Sequence, residues 1–375
     1  MNAEVRKLLQ ALPGGDWWSR QKIITLLATH PEKEYFVHLE QSIRDHDNAD
    51  VRNTAMEVYK ALGVRAFPSL ASLLRDNDPE VRLFAVNIIC RIEDKEGLPL
   101  LLASMGDKDV NVRCASAEGI GKIGDGRALA ELKKALTDEP WVAMAAIGSI
   151  GEIGGEDALA LLYWCLDKDL FCDTAILALE KAGNRHSIAH LTPFFSDRNL
   201  KKIVLRAIVS IAERERVRPQ PEYFISLAPL LVETVRSSDD EMRKYAFMAL
   251  CWAGDVTGLP YLLEGLQDED LQEYAIEGLL TIGRKAVCSI VDELKVSSGG
   301  HKVILAKILA MMGEHKALLQ FADDDDAEVR TEVALAIGRV DMERAVTALN
   351  KMLSDPHEEV RQAANRSLHR FGKNG

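Results

Sequence analysis

Residues 107–125 read Asp-Lys-Asp-Val-Asn-Val-Arg-Cys-Ala-Ser-Ala-Glu-Gly-Ile-Gly-Lys-Ile-Gly-Asp. An acidic turn (Asp107, Asp109) leads into Val112-Arg113. Small and apolar residues then follow at helical spacing, up to the glycines Gly121 and Gly124. The phrase returns as Asp76 to Val81-Arg82, as Asp324 to Val329-Arg330 and as Asp355 to Val360-Arg361. A phrase recurring about every 30 residues marks a stack of like units, each too small to bury its apolar face alone.

Aligned on the arginine, one column reads Arg20, Arg52, Arg82, Arg113, Ala143, Cys172, Lys201, Arg243, Gln272, Lys302, Arg330 and Arg361. This gives about twelve units over nearly the whole chain, and the reading is one array across residues 1–375. Each unit reads as a helical hairpin. An apolar first helix such as Ala128–Leu136 precedes an Asp-rich turn, whose carboxylates serve the unpaired N–H groups of the second helix. The second helix carries apolar residues at i, i+3/i+4 and i+7/i+8, as in Val112, Ala115/Ser116 and Gly119/Ile120. A glycine such as Gly63, Gly124, Gly154, Gly183, Gly254, Gly283 or Gly313 ends it in the left-handed conformation. The unit length leaves roughly a dozen residues for each helix. The predicted fold is all-α: an alpha-solenoid with a right-handed superhelix. The arginine column predicts a ladder, each arginine pairing with an aspartate of the adjacent turn and lapsing at Ala143, Cys172 and Gln272.

Composition bounds the function. Of 375 residues, 46 are Lys or Arg and 58 are Asp or Glu, a net charge of −12 that opposes sequence-independent nucleic-acid binding. The six cysteines (Cys90, Cys114, Cys165, Cys172, Cys251, Cys288) form no Cys-x-x-Cys pair, and four of them fall inside repeat helices as small apolar residues. No secretory h-region opens the chain and no run of about 18 apolar residues interrupts it. The expected location is the cytoplasm, with no membrane partner.

Three places depart from the repeat. Residues 1–16 read as an N-terminal cap, closed by Pro13-Gly14-Gly15, with Trp17-Trp18 covering the open end of the first repeat or making a dimer contact. The spacing between Lys201 and Arg243 is about ten residues too long. The surplus, within 213–224, is charged and then proline-rich, and reads as an inserted loop. It is either a tolerated insertion or a loop projecting beside a binding face.

The string Gly119-Ile120-Gly121-Lys122-Ile123-Gly124-Asp125-Gly126-Arg127-Ala128-Leu129 and the Asp-x-x-x-x-Val-Arg phrases resemble HEAT repeats, most closely the short bacterial phycobilisome-lyase-like variety. The resemblance spans residues 16–372. It implies a convex face of first helices and a concave groove of second helices, and for most members a protein-binding scaffold. For a minority it implies an enzyme: bilin lyase, deoxyhypusine hydroxylase or alkylpurine DNA glycosylase. The hydroxylases use several His-Glu pairs at equivalent repeat positions. Here His357-Glu358 stands alone, so no metal is expected. His186 and His190, four apart, lack a third ligand. Asp323-Asp324-Asp325-Asp326 lacks the alternation and central glycine of a calcium loop.

The groove positions follow the arginine column by one, five and nine residues. The last of these columns reads Arg91, Lys122, Glu152, Lys181, Ser210, Trp252, Thr281, Met311, Arg339 and Arg370, basic toward both ends and apolar in the middle. The candidate partner-binding residues are therefore Trp252, Tyr245, Tyr274, Arg91, Lys122 and Arg339, with Trp252 the aromatic expected at the surface. Tyr245 and Tyr274 share a column with Phe84, Ala115 and Ala145, so packing between repeats is the competing reading. The function expected is a non-catalytic scaffold or adaptor, in bacterial regulation or signalling, that holds another protein in its groove and uses no cofactor. The alternative is a bilin-lyase-like or other modifying enzyme or chaperone acting on a chromophore or protein.

Overall fold

The computed structural model describes residues 33–237, 240–338 and 343–371, together with 21, 24–26 and 29. The predicted cap (1–16), Trp17-Trp18, Arg20 and Arg339 lie outside them. The described residues are helical with no strand, as the all-α reading requires. They fall into two compact units, residues 1–190 and 191–375.

In the first unit the helices are α1 (Lys33–Ile43), α2 (Ala49–Leu62), α3 (Phe67–Leu73), α4 (Pro79–Ile92), α5 (Leu98–Ser104), α6 (Val110–Ile123), α7 (Leu129–Ala135), α8 (Pro140–Ile153), α9 (Glu156–Asp167) and α10 (Cys172–Ala182). The second unit holds α11 (Lys201–Glu215), α12 (Glu222–Ile225), α13 (Ala228–Ser237), α14 (Asp240–Ala253), α15 (Leu259–Gly265), α16 (Gln272–Ile282), α17 (Val287–Val296), α18 (Gly299–Met311), α19 (His315–Leu319), α20 (Ala327–Ile337), α21 (Glu343–Met352) and α22 (Glu358–Phe371). In both units successive hairpins stack on one another, second helix against second helix: α4 on α6, α6 on α8 and α8 on α10, then α14 on α16 and α20 on α22.

The hairpins are less symmetric than the sequence suggests. The second helices α2, α4, α6, α8 and α14 each run 14 residues, whereas the first helices α3, α5, α7 and α15 run only 7. The difference is taken up by a 3-10 turn before the first helix, at Lys95–Gly97, Gly126–Ala128 and Val256–Gly258. Asp94, Asp125 and Asp255 each cap that turn by accepting the backbone N–H two residues on. Proline at the second position of α3, α5 and α15 then starts the helix where its missing N–H costs nothing. Glycine ends most second helices at positive φ, as at Gly124 (φ 68°). Gly183 departs from the prediction: its backbone is extended (φ −63°, ψ 154°), while Glu93 takes the left-handed turn after α4.

The predicted ladder is present in part: besides the three predicted lapses, among the described residues Arg52, Lys201 and Arg243 make no rung to the next turn's aspartate. Arg82 donates to both carboxylate oxygens of Asp107 (2.7 and 2.8 Å) and, through Nη1, to the carbonyls of Asp76 (2.9 Å) and Asn77 (3.1 Å) in its own turn. Arg113 repeats this on Asp138 (2.8 and 2.7 Å) and on the Asp107 carbonyl (2.9 Å). Arg330 repeats it on Asp355 (2.7 and 3.0 Å) and on the Asp324 carbonyl (2.7 Å). Lys302 makes a simpler rung to Asp324 (2.8 Å), and Gln272 keeps only the half that reaches back to its own turn, donating to the Leu266 carbonyl. Arg52 is displaced: Arg44 holds Asp76 (2.6 Å), and the Arg52 guanidinium lies over the Phe84 ring.

Small residues set the spacing between second helices. A Cβ on Gly121 would meet Ser149 at 2.7 to 2.8 Å, one on Gly151 would meet Ala178 at 2.8 Å, and one on Gly338 would meet Ser367 at 2.3 Å. At two of these contacts the serine hydroxyl crosses the gap, Ser149 donating to the Ala117 carbonyl and Ser367 to the Ala334 carbonyl, both at 2.8 Å. Backbones this close tolerate no added methyl group without shifting.

Three outcomes follow for stability. Gly121→Val forces α6 and α8 apart and lowers the unfolding free energy by about 2 kcal/mol, read from urea midpoints. Arg330→Met strands Asp355 and costs about 3 kcal/mol, whereas Arg330→Lys regains part of the loss, as the Lys302 rung does naturally. The Arg113 and Arg330 guanidiniums, by hydrogen bonding, hold the Asp138 and Asp355 carboxyls below their usual range. A carboxylate depressed in the folded state stabilises above its unfolded pKa of about 4 and ceases to as pH falls through the folded value. Urea titrations between neutral pH and pH about 3 are therefore expected to show stability falling below pH about 4, and falling less in the Arg330→Met protein.

Candidate functional site

The face predicted to bind a partner is the one that follows the arginine column by one, five and nine residues. On α6 these positions hold Cys114, Glu118 and Lys122, and on α8 they hold Met144, Gly148 and Glu152. The second and third of each set reach the surface or half-reach it, as the spacing requires. On α10 the same positions include Leu177, 40% exposed, and Lys181. Together Glu118, Lys122, Gly148, Glu152, Leu177 and Lys181 line an open groove of about 480 Å³, floored by Ala145, Ser149 and Ala178. Gly148 has open space where a Cβ would stand. Lys181 is paired with Glu152 at 2.6 Å, and Arg91, on α4, with Glu57. Lys122 is exposed beside the floor of small residues. Trp141, at the start of α8, is 71% exposed. The sequence reading did not single it out, although a tryptophan where α4 has Glu80 and α6 has Asn111 was a visible departure.

In the second unit the same columns are covered on α14 but open on α18, where Met311 is 62% exposed. Trp252, the aromatic expected at the surface, is only 5% exposed. Every residue from Ala246 to Ala253 is buried, including Met248, which occupies the groove position. The cause is the insertion. Residues following α11 do not project. They lead through the left-handed Arg216 (φ 51°) into α12, whose Phe224 is buried with its ring 5.9 Å from that of Trp252. Arg218 donates to the Thr281 hydroxyl and to the Glu277 carbonyl (3.3 Å) on α16, reaching across α14. The Tyr274 hydroxyl, also on α16, donates to Glu213 at the end of α11 (3.2 Å). Tyr245 is half-buried and donates to Glu241 one turn back (3.0 Å). Of the six predicted residues, Trp252 is thus an interior anchor for the insertion, Tyr245 and Tyr274 stand half-buried at its margin, and Arg91 and Lys122 lie on the other unit's face. Arg339 is outside the described residues.

The signal for this was in the sequence. Ala246–Ala253 is apolar without interruption, whereas the equivalent stretch of α6 carries Glu118 and Lys122. A helix apolar all round is a buried helix, and the surplus residues upstream were material that could cover it.

The polar clusters weighed as metal sites are otherwise engaged. Asp323 pairs with Lys351 (2.6 Å), Asp324 with Lys302, and Asp326 caps α20 by accepting the Glu328 N–H (2.8 Å). His190 stacks on Tyr163 with ring centroids 3.9 Å apart, away from any pairing with His186. Among the described residues no group of three or more His, Cys, Asp or Glu side chains is placed to hold a metal ion. Burial pushes the thiols of Cys90 and Cys165 up to about 11 and that of Cys172 up to about 12, so they stay protonated and behave as packing groups. Among the described residues no helix is long and apolar enough to cross a membrane.

Residues 67–142 and 304–375 match the HEAT repeats family. No curated protein matches the chain. A chain of a homology model of the full-length AP-3 complex aligns with 98% of this chain and 87% of its own, at 12% identity and a TM-score of 0.56. Kap121p bound to Nup53p aligns with all of this chain and 49% of its own, at 13% identity and a TM-score of 0.51. The complex of CpcE and CpcF of phycocyanin lyase from a Nostoc species aligns with 65% of this chain and 94% of its own, at 16% identity and a TM-score of 0.36. At these identities the first two likenesses concern the fold alone, and the third is too distant in shape to carry an argument. Two family matches lie in separate units, and the same Asp-capped, Arg-laddered hairpin recurs in both: residues 67–142 and 304–375 are HEAT repeats in a chain whose described residues are helical without strands.

Proposed function

We propose that the chain is a non-catalytic protein-binding scaffold and that its partner docks on the face of α6, α8 and α10. The observation that carries this is the contrast between the two faces. In the second unit α14 is covered by the protein's own insertion. The first unit leaves a groove of about 480 Å³ with a floor of small residues, an exposed Leu177 and the exposed Lys122 at its margin. A floor of Ala145, Gly148 and Ala178 admits the side-chain ridge of a helix or extended segment close to the backbone. Leu177 supplies apolar contact, and Lys122 and Glu118 set the partner's orientation at the rim. Trp141 extends the apolar area toward the turns and is the side chain whose truncation is expected to cost most. Arg91 and Lys122 keep their predicted role as rim cations. The repeat phrase on both sides of residue 190 supports a single array, and the partner's pathway and a cytoplasmic setting belong to the same reading.

Gly148 is the cleanest position to test. Its missing side chain faces open space, so Gly148→Arg fills the groove without touching the core. A photo-crosslinking residue at Leu177 is expected to label one protein in native cell extract, and Val296, 80% exposed in the other unit, is expected not to. Gly148→Arg should abolish the labelling with an unchanged melting temperature. Labelling that survives Gly148→Arg would remove this face from the proposal.

A further inference from the structure

Among the described residues one rung has its arginine and its aspartate at the right spacing and yet stands open. Arg82, Arg113 and Arg330 each grip an aspartate 25 residues further on. The same spacing pairs Arg243 with Asp268, yet that bond is not made. The Arg243 guanidinium is half-exposed and lies 3.5 Å from Asp240 in its own helix, while Asp268 accepts the backbone N–H of Asp270 (2.9 Å). A cavity of about 550 Å³ lies beside them, lined by Arg236, Arg243, Phe247, Tyr261, Glu264 and Asp268. The sequence explains the local shape. Phe247 stands where the closed rungs have Val86, Ala117 and Ala334. Its ring occupies the space of a side chain on Gly265, where a Cβ would meet it at 2.3 Å. Arg236 lies over the Tyr261 ring, 5.3 Å from its centre, and forms a second cationic wall.

Among the described residues the cavity's lining carries two cations, Arg236 and Arg243, and two carboxylates, Glu264 and Asp268, with Asp240 beside Arg243. A simple anion meets Glu264 and Asp268 as well as the guanidiniums, and a simple cation meets Arg236 and Arg243. A zwitterion satisfies both sets. Val235, Phe247, Tyr261 and Leu271 supply an apolar wall, and the volume lies within the range of small-molecule sites. We propose that the open rung is a binding site for a free α-amino acid with an apolar side chain. Its carboxylate takes the bidentate place on Arg243 that an aspartate takes in the closed rungs, its ammonium group meets Asp268, and its side chain lies on Phe247 and Tyr261. The ligand closes the rung and so links α14 to the turn before α16. This site is separate from the partner face of the first unit and does not depend on it.

The test is calorimetry and thermal melting of the full chain with L-phenylalanine and L-leucine. N-acetyl-L-phenylalanine, which lacks the ammonium group, and L-phenylalaninamide, which lacks the carboxylate, are the matched probes. Saturable binding of a free amino acid with a raised melting temperature is expected, and binding of both blocked compounds is expected to be weaker by about tenfold or more. Arg243→Gln and Asp268→Asn should each remove the response. Because the rung is open, Arg243→Gln should leave the melting temperature of the unliganded protein unchanged, in contrast to Arg113→Gln, which breaks a closed rung. No binding of either amino acid, equal binding of a blocked compound, or binding that persists in Arg243→Gln would each overturn the proposal. So would an Arg243→Gln protein as destabilised as Arg113→Gln, since the rung would then be closed in solution.

Discussion

The bidentate bond between an arginine and the aspartate of the next turn is the interaction on which the stack depends. It is efficient because each partner already serves another purpose. Asp107 accepts the N–H of Asp109 (2.8 Å) to shape its own turn and also receives Arg82 from the hairpin before. Arg82, only 4% exposed, ties up two carbonyls of its own turn while reaching that aspartate. A buried guanidinium is tolerated only when its donors are satisfied, and here four hydrogen bonds from three of its nitrogens do so. One side chain thus closes a turn and fixes the register of the next hairpin, and in a repeat protein stability resides largely in such nearest-neighbour terms.

The glycine and serine contacts act at the other end of the same helices. The rungs hold the turn ends together. Gly121 against Ser149 and Gly338 against Ser367 let the helix bodies approach to backbone contact. A face built on such small residues is shallow unless larger side chains rise from its edges. On α6, α8 and α10 they do, at Lys122, Glu152, Leu177 and Lys181, and a groove results. Around α14 the protein instead fills its own groove with Phe224 and bridges it with Arg218. One repeat therefore yields two different inner faces, one open to a partner and one closed by a detour of the chain.

Much of this was legible in the sequence because it rests on local chemistry. Aspartate caps, the apolar spacing of a helix and glycine at a helix end are short-range rules, and they located the hairpins and the ladder. The shorter first helices were missed because the unit length was shared equally between two helices, with no allowance for the 3-10 turns at Gly126–Ala128 and its equivalents. Gly183 was misread because the chain leaves α10 by an extended path that no local rule favours over a left-handed one. The burial of Trp252 was missed for a different reason. A column position states which way a side chain points from its helix, not what another part of the chain has laid over it.

The sequence by itself determined that the chain is built of helical hairpins and which column could carry a ladder, since those follow from periodicity and from turn residues with one conformational use. Only the tertiary structure decided which inner face stays open. The path of residues 216–227, the ring of Phe224 on Trp252 and the rung left unmade between Arg243 and Asp268 depend on side chains far apart in sequence competing for the same space. Such competition is settled by packing volume and distance, which no repeat spacing records.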